Sequence, residues 1–134
     1  MSKPGYSLEQ RVYFEDTDAT GVVYHSNYLC YMERARSEWL WAVGHSFDDC
    51  TQRNIAFAIH HASLDYLYPA RLGDKLLITC NVDNYRRTSI TFDQSVKNAD
   101  NNDIVYCQGK IRLVCITLKG KPQPFPADFL EKLS

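Results

Sequence analysis

The sequence predicts an α+β domain in which one helix is covered by an antiparallel sheet. Three observations predict it. Residues 27–43 repeat their apolar positions with a helical period. The stretches 55–68, 75–86, 88–97 and 103–117 alternate apolar and polar residues, as half-buried strands do. Tight turns join the last three, which makes them an antiparallel meander. A helix with a broad apolar face must bury it against the sheet formed by such strands, so the expected order is β-α-β-β-β-β.

Each element has its own signal. Residues 8–15 (LEQRVYFE) alternate well enough for a first strand. In the helix, Tyr28, Met32, Ala35, Trp39 and Ala42 share a face that Leu29, Leu40 and Val43 widen. Glu33, Arg34, Ser37 and Glu38 supply polar positions. Ser26 or Asn27 is suited to cap the start, and Gly44 to end it. In 55–68 the alternation changes phase near His60 and His61, which predicts a bulge or bend. Residues 69–74 (PARLGD) read as a turn. Leu76, Ile78, Cys80 and Val82 then share one face, followed by Ile90, Phe92 and Val96 on the next strand. Val105, Cys107, Ile111, Leu113 and Cys115 do so on the last, with Gly109 a second candidate bulge. Phe125 to Leu133 suits a short terminal helix.

Bulk composition narrows the function. The 134 residues fit one domain, 1–134, with a real core. With 45% hydrophobic and 23% charged residues, the chain has an ordinary soluble composition. A net charge of -1 argues against nucleic acid as the main partner. No apolar run is long enough for a transmembrane segment, and MSKPGYSLEQ lacks the apolar centre of a signal peptide. The five cysteines form no CxxC pair, which suits reduced, mostly buried thiols and a cytoplasmic location. No His, Cys or Asp spacing suggests a metal.

The stretch FEDTDATGVVYHSNY, residues 14–28, stands apart. Glu15, Asp16 and Asp18 crowd the end of a strand, and a helix starts soon after. A plain turn needs one Asp. Taken alone, the pattern reads as an Asp-rich loop that caps backbone. Residues 15–28, however, resemble the signature of hot-dog-fold acyl-CoA thioesterases. They are most similar to the 4-hydroxybenzoyl-CoA thioesterase family and its tol-pal-associated branch. The resemblance extends in order through Glu33-Arg-Ala-Arg-Ser-Glu38, residues 65–74 (DYLYPARLGD) and Arg86-Arg-Thr-Ser89.

The resemblance implies a hot-dog fold, a long central helix wrapped by a curved antiparallel β-sheet. It implies edge-paired homodimers, often assembled into homotetramers. It implies hydrolysis of a short-chain or aromatic acyl-CoA to free acid and coenzyme A. The second acid of the Asp-x-Asp pair is the catalytic one, here Asp18, and the backbone N–H at His25 polarises the thioester carbonyl. No cofactor is implied, since coenzyme A is part of the substrate.

The chemistry suits these residue types. A thioester needs a carboxylate to attack it or to activate water, and donors aimed at the developing oxyanion. A helix N-terminus offers such donors. The ring of His25 is expected to orient the loop or substrate, with a role as base the alternative. Tyr24 is a candidate for the acyl pocket, as are Tyr28 and Tyr31, although Tyr28 lies on the buried helix face. Arg86, Arg87, Thr88 and Ser89 suit the phosphates of coenzyme A, or else form a charged turn. Arg71 and Lys75 are weaker candidates. Asn27 and Glu33 carry no assigned role, and His45, His60 and His61 suggest packing. Thr20 stands where many relatives carry a second Gly or another small residue. Beside the acid, it either narrows the pocket or supplies a hydroxyl. Alternatives are an acyl group on acyl carrier protein, a non-catalytic acyl-CoA-binding or scaffold module, and a dehydratase with a His pair. The intact Asp18 loop speaks against the binding module.

Overall fold

A computed structural model describes residues 5–133. Its elements run β1 (Tyr6–Arg11), α1 (Asn27–Ala42), α2 (Phe47–Gln52), β2 (Ala56–Tyr66), β3 (Lys75–Tyr85), β4 (Ser89–Asn98), β5 (Val105–Ile116) and α3 (Ala127–Glu131). The strands form one antiparallel sheet in the order β1-β3-β4-β5-β2. The expected meander is β3-β4-β5. β2 lies at one edge beside β5, and β1 at the other beside β3.

The sixteen residues of α1 pack over β1, β3 and β4. Tyr28, Tyr31, Met32, Ala35 and Leu40 are buried beneath it, facing Leu76, Ile78, Cys80, Phe92 and Val96 from the sheet. Trp39 is half-buried and packs edge-on to Phe92, with ring centroids 5.0 Å apart. Ala42 is exposed, so the apolar face ends one turn earlier than its periodicity suggests. Gly44, at φ 97°, closes the helix with the paired bonds of a Schellman turn. Its N–H donates to the Trp41 carbonyl and the His45 N–H to that of Leu40.

The structure corrects several local expectations. β1 stops at Arg11 instead of reaching Glu15, because Phe14–Asp16 winds into a 3-10 turn. α2 was absent from the expected order. Its signal was Ser46 three residues before Asp49, whose N–H the Ser46 hydroxyl accepts at 3.0 Å. Gly109 makes no bulge, since its pairing with Leu64 and Gln94 is in register. A Cβ there would strike the Ser63 carbonyl and the Leu64 side chain, so the glycine permits close strand approach. The phase change near His60 is real, with the register shifting between Ile59 and His61. The terminal helix forms as expected, and Phe129 stacks on the buried His45 ring at 3.8 Å. Among the described residues all five cysteines are unpaired, and four are buried; Cys30 is exposed. Among the described residues no helix is long and apolar enough to cross a membrane.

Candidate active site

The acid-rich stretch folds into a small hairpin that delivers the chain to α1. Thr17 bridges Val23, and the Asp18 N–H donates to the Val22 carbonyl at 2.9 Å. Gly21, at φ 79°, makes the reversal that a side chain would strain. Val22 bridges Arg71, and the Leu72 N–H donates to the Gly21 carbonyl at 3.2 Å. The hairpin is thus fastened to the 69–74 turn. Asp18 comes to lie across from Val22, on the hairpin that leads into α1.

The three acids divide the work. Glu15 is exposed and makes no side-chain hydrogen bond among the described residues. Asp16 is only 4% exposed. One carboxylate oxygen accepts the Tyr13 N–H at 2.9 Å; the other accepts the Asn27 side-chain amide at 3.0 Å. The Asp16 carbonyl also accepts the Tyr24 N–H at 2.9 Å. Asp16 therefore ties the strand end to the first residue of α1. Tyr31 lies close by with its hydroxyl buried and without a partner in good geometry. Burial, and then the Asp16 charge, pushes that phenol well above its usual range.

Asp18 is exposed, and its carboxylate is free for chemistry on one side. Its Oδ1 accepts the Thr20 hydroxyl at 2.6 Å and the Thr20 N–H at 2.8 Å. Of the two possibilities for Thr20, this chain uses the hydroxyl. These bonds, the hydroxyl's foremost, hold the Asp18 carboxyl below its ordinary value. The group is a carboxylate throughout the neutral range, ready as a base or a nucleophile.

Neither Ser26 nor Asn27 caps α1 with its side chain, contrary to expectation. Asn27 is engaged by Asp16, and Ser26 makes no such bond. The first turn carries no acid. Among the described residues, the His25 and Ser26 N–H groups donate to no acceptor. The helix start keeps its partial positive charge and its open donors. The His25 ring is exposed, 4.5 Å from the Tyr24 ring between centroids. The Tyr66 hydroxyl donates to the His25 carbonyl at 3.1 Å, which pins the backbone there. Sequence reasoning missed Tyr66, which ends β2 and lies 41 residues from His25. Tyr24 is 49% exposed beside this backbone, whereas Tyr28 and Tyr31 are core.

The Arg86–Ser89 turn is elsewhere. The sheet register puts Tyr85, Ser89 and Ala56 at one end, and Arg11, Lys75 and Tyr66 at the other. At about 3.3 Å per residue, the length of β3 separates the turn from the Asp18 loop by roughly 30 Å within one protomer. The turn's backbone is well braced. The Arg86 N–H donates to the Ser89 carbonyl at 2.7 Å, while the Arg87 and Thr88 carbonyls accept the Phe125 and Cys115 N–H groups. Arg86 and Arg87 are exposed, and neither has an acidic partner among the described residues. Ser89 is buried, with its hydroxyl accepting Arg112 at 3.4 Å. Arg71, by contrast, is exposed beside the Asp18 hairpin. No cluster among the described residues could hold a metal ion.

Known proteins resemble this chain over most of its length. The Thioesterase superfamily profile matches residues 20–105. The acyl-CoA thioester hydrolase YbgC of Escherichia coli is 39% identical over 117 residues, 87% of this chain and 86% of that one. A 1,4-dihydroxy-2-naphthoyl-CoA hydrolase of Nostoc punctiforme is 33% identical, over 96% of this chain and 86% of its own. Slr0204, a 1,4-dihydroxy-2-naphthoyl-CoA thioesterase from Synechocystis, superposes with a TM-score of 0.87 at 27% identity. That superposition covers 96% of this chain and 95% of that one.

Proposed function

The chain belongs to the thioesterase superfamily and is a thioester hydrolase, and we propose that it cleaves acyl-CoA with Asp18 as its catalytic carboxylate. One observation carries this reading: the hairpin that leads into α1 holds Asp18 with a free carboxylate oxygen, and the helix start it leads to has N–H groups without an acceptor among the described residues. The thioester carbonyl oxygen lies toward the His25 N–H and the end of the α1 dipole. Negative charge developing on that oxygen is stabilised there more than the neutral ground state. Asp18 attacks the carbonyl carbon or takes a proton from an attacking water, and coenzyme A leaves as thiolate. The His25 ring and Tyr24 flank the acyl group. The relatives' own substrates, acyl-CoA and 1,4-dihydroxy-2-naphthoyl-CoA, support an acyl-CoA substrate and keep an aromatic acyl group among the candidates beside a short-chain one.

The working unit in this reading is a homodimer paired through β2. That strand is an eleven-residue edge, mostly exposed, with one side of its backbone ladder unpaired. Such an edge needs a partner or a cover. Two-fold antiparallel pairing sets the Tyr66 end of one β2 against the Ala56 end of the other. Arg86 of the partner subunit and Arg87 of the partner subunit then approach this protomer's Asp18 loop. At about 4.8 Å per strand, their turn stands roughly 10 Å from the shared edge. Coenzyme A is long enough to span that gap, with its phosphates on the arginines.

The test is thiol release from a panel of short aliphatic, long aliphatic, benzoyl and hydroxynaphthoyl-CoA. Release from at least one class supports the reading, while silence across the panel sinks it in favour of carrier-protein substrates or binding alone. Single turnover in heavy-oxygen water then separates the two roles of Asp18. Label entering Asp18 means nucleophile; label found only in the product acid means base.

A further inference from the structure

A cavity of about 420 Å³ lies between α1, α2 and the β2–β5 side of the sheet. Its walls are mostly apolar, with Trp39, Leu40, Phe57, Ile59, Phe92 and Leu113 among them. Arg36 also lines it. Arg36 is only 8% exposed, yet no carboxylate among the described residues lies within ion-pair distance of it. One guanidinium nitrogen donates to the neutral Gln94 side chain at 3.0 Å. Gln94 is itself fully buried and donates onward to the Met32 carbonyl at 3.0 Å. Glu33 is exposed on the cavity wall, and its carboxylate accepts the Ser37 hydroxyl. The Cys80 thiol gives no compensating charge, because burial pushes it up to about 12.

A buried guanidinium remains charged, and it normally finds a carboxylate or phosphate. Here one guanidinium N–H is bonded, to Gln94; no other acceptor meets the group among the described residues, its remaining nitrogens are not sealed from solvent, and it borders an apolar cavity of ligand size. We propose that this cavity binds an acyl chain whose far end carries a carboxylate, with Arg36 as the group that recognises it. The identity of the ligand as an acyl group rests on the thioesterase reading; the anion preference of the cavity does not. A six-carbon diacid is small enough for a cavity of about 420 Å³ and serves as the probe.

The test compares monoethyl adipate with ethyl hexanoate. Both carry a neutral ester in place of the thioester, and only the first carries a distal carboxylate. The indole N–H resonance of Trp39, on the cavity wall, reports occupancy. We expect the adipate ester to shift it at about 10- to 100-fold lower concentration, the range of a hydrogen bond to a charged group. Arg36→Met abolishes that preference, and Arg36→Lys retains part of it. Equal titration by the two esters, no shift with either, or a preference that survives in Arg36→Met overturns the proposal. The comparison in the parent protein decides even if Arg36→Met does not fold. Thiol release is scored separately. Arg36-dependent binding without any thiol release sinks the thioesterase reading alone; release without anion preference sinks this proposal alone.

Discussion

Asp16→Ala removes the brace that ties the Asp18 hairpin to α1. In the parent, the buried Asp16 carboxylate accepts two bonds, from the Tyr13 N–H at 2.9 Å and the Asn27 amide at 3.0 Å. A hydrogen bond to a charged group contributes about 1.5–3 kcal/mol. Tyr13 is exposed, so water can replace part of its bond. One bond at full weight and one at half gives a loss of roughly 2–4 kcal/mol. For a chain of this length, that lowers the melting temperature by about 10 °C. Urea denaturation at constant m-value measures it. Asp16→Asn keeps one acceptor and loses about half as much. A double-mutant cycle with Asn27→Ala is expected to show a coupling of about 1 kcal/mol, because the two side chains share one bond. Catalysis falls too, since the loop that carries Asp18 is anchored through Asp16. If Asp16→Ala unfolds within about 0.5 kcal/mol of the parent, or the cycle shows no coupling, the brace is not what holds the loop.

Three further outcomes follow from the same geometry. Thr20→Val removes the hydroxyl that chiefly holds Asp18 below its ordinary value. In the proposed mechanism Asp18 acts as a carboxylate, and its lowered pKa keeps it ionised to lower pH. The acid limb of kcat/KM therefore moves to higher pH in the variant, and an unmoved limb contradicts the role of the hydroxyl. His25→Ala keeps the backbone donor and costs less than about tenfold in kcat, whereas His25→Pro removes it and costs about 10²–10³. Equal losses, with both variants folded by their urea midpoints, would move the role from the amide to the ring. Arg86→Ala with Arg87→Ala raises KM for acyl-CoA by about 10- to 100-fold at steady kcat. It leaves KM for the matching pantetheine thioester unchanged; a rise there would refute phosphate recognition.

The fold was readable because period and phase are local properties. Leu76, Ile78 and Cys80 alternate inward as their pattern requires, and α1 begins where its apolar period starts and ends just before Gly44. Strand order was less readable, because pairing β2 with β5 rather than β3 depends on contacts distant in sequence. The same limit hid Gln94. Its inward phase between Phe92 and Val96 was visible, but its partner Arg36 lies 58 residues away. Asp18 was singled out by motif resemblance, yet its link to Thr20 needed coordinates. The missing side-chain cap on α1 ran against local propensity, since both Ser26 and Asn27 are good caps. Local rules fail there because Asn27 is drawn to Asp16, which leaves the helix start without a side-chain cap.

The most direct measurement is thiol release by Asp18→Asn beside the parent, on whichever acyl-CoA the parent cleaves best. Asp18 is exposed, and its carboxylate bonds only Thr20 among the described residues, so the change leaves the urea midpoint almost untouched. We expect kcat/KM to fall by about three orders of magnitude or more, as for a central catalytic group. A folded Asp18→Asn protein that turns over within tenfold of the parent would contradict the assignment of the chemistry to Asp18.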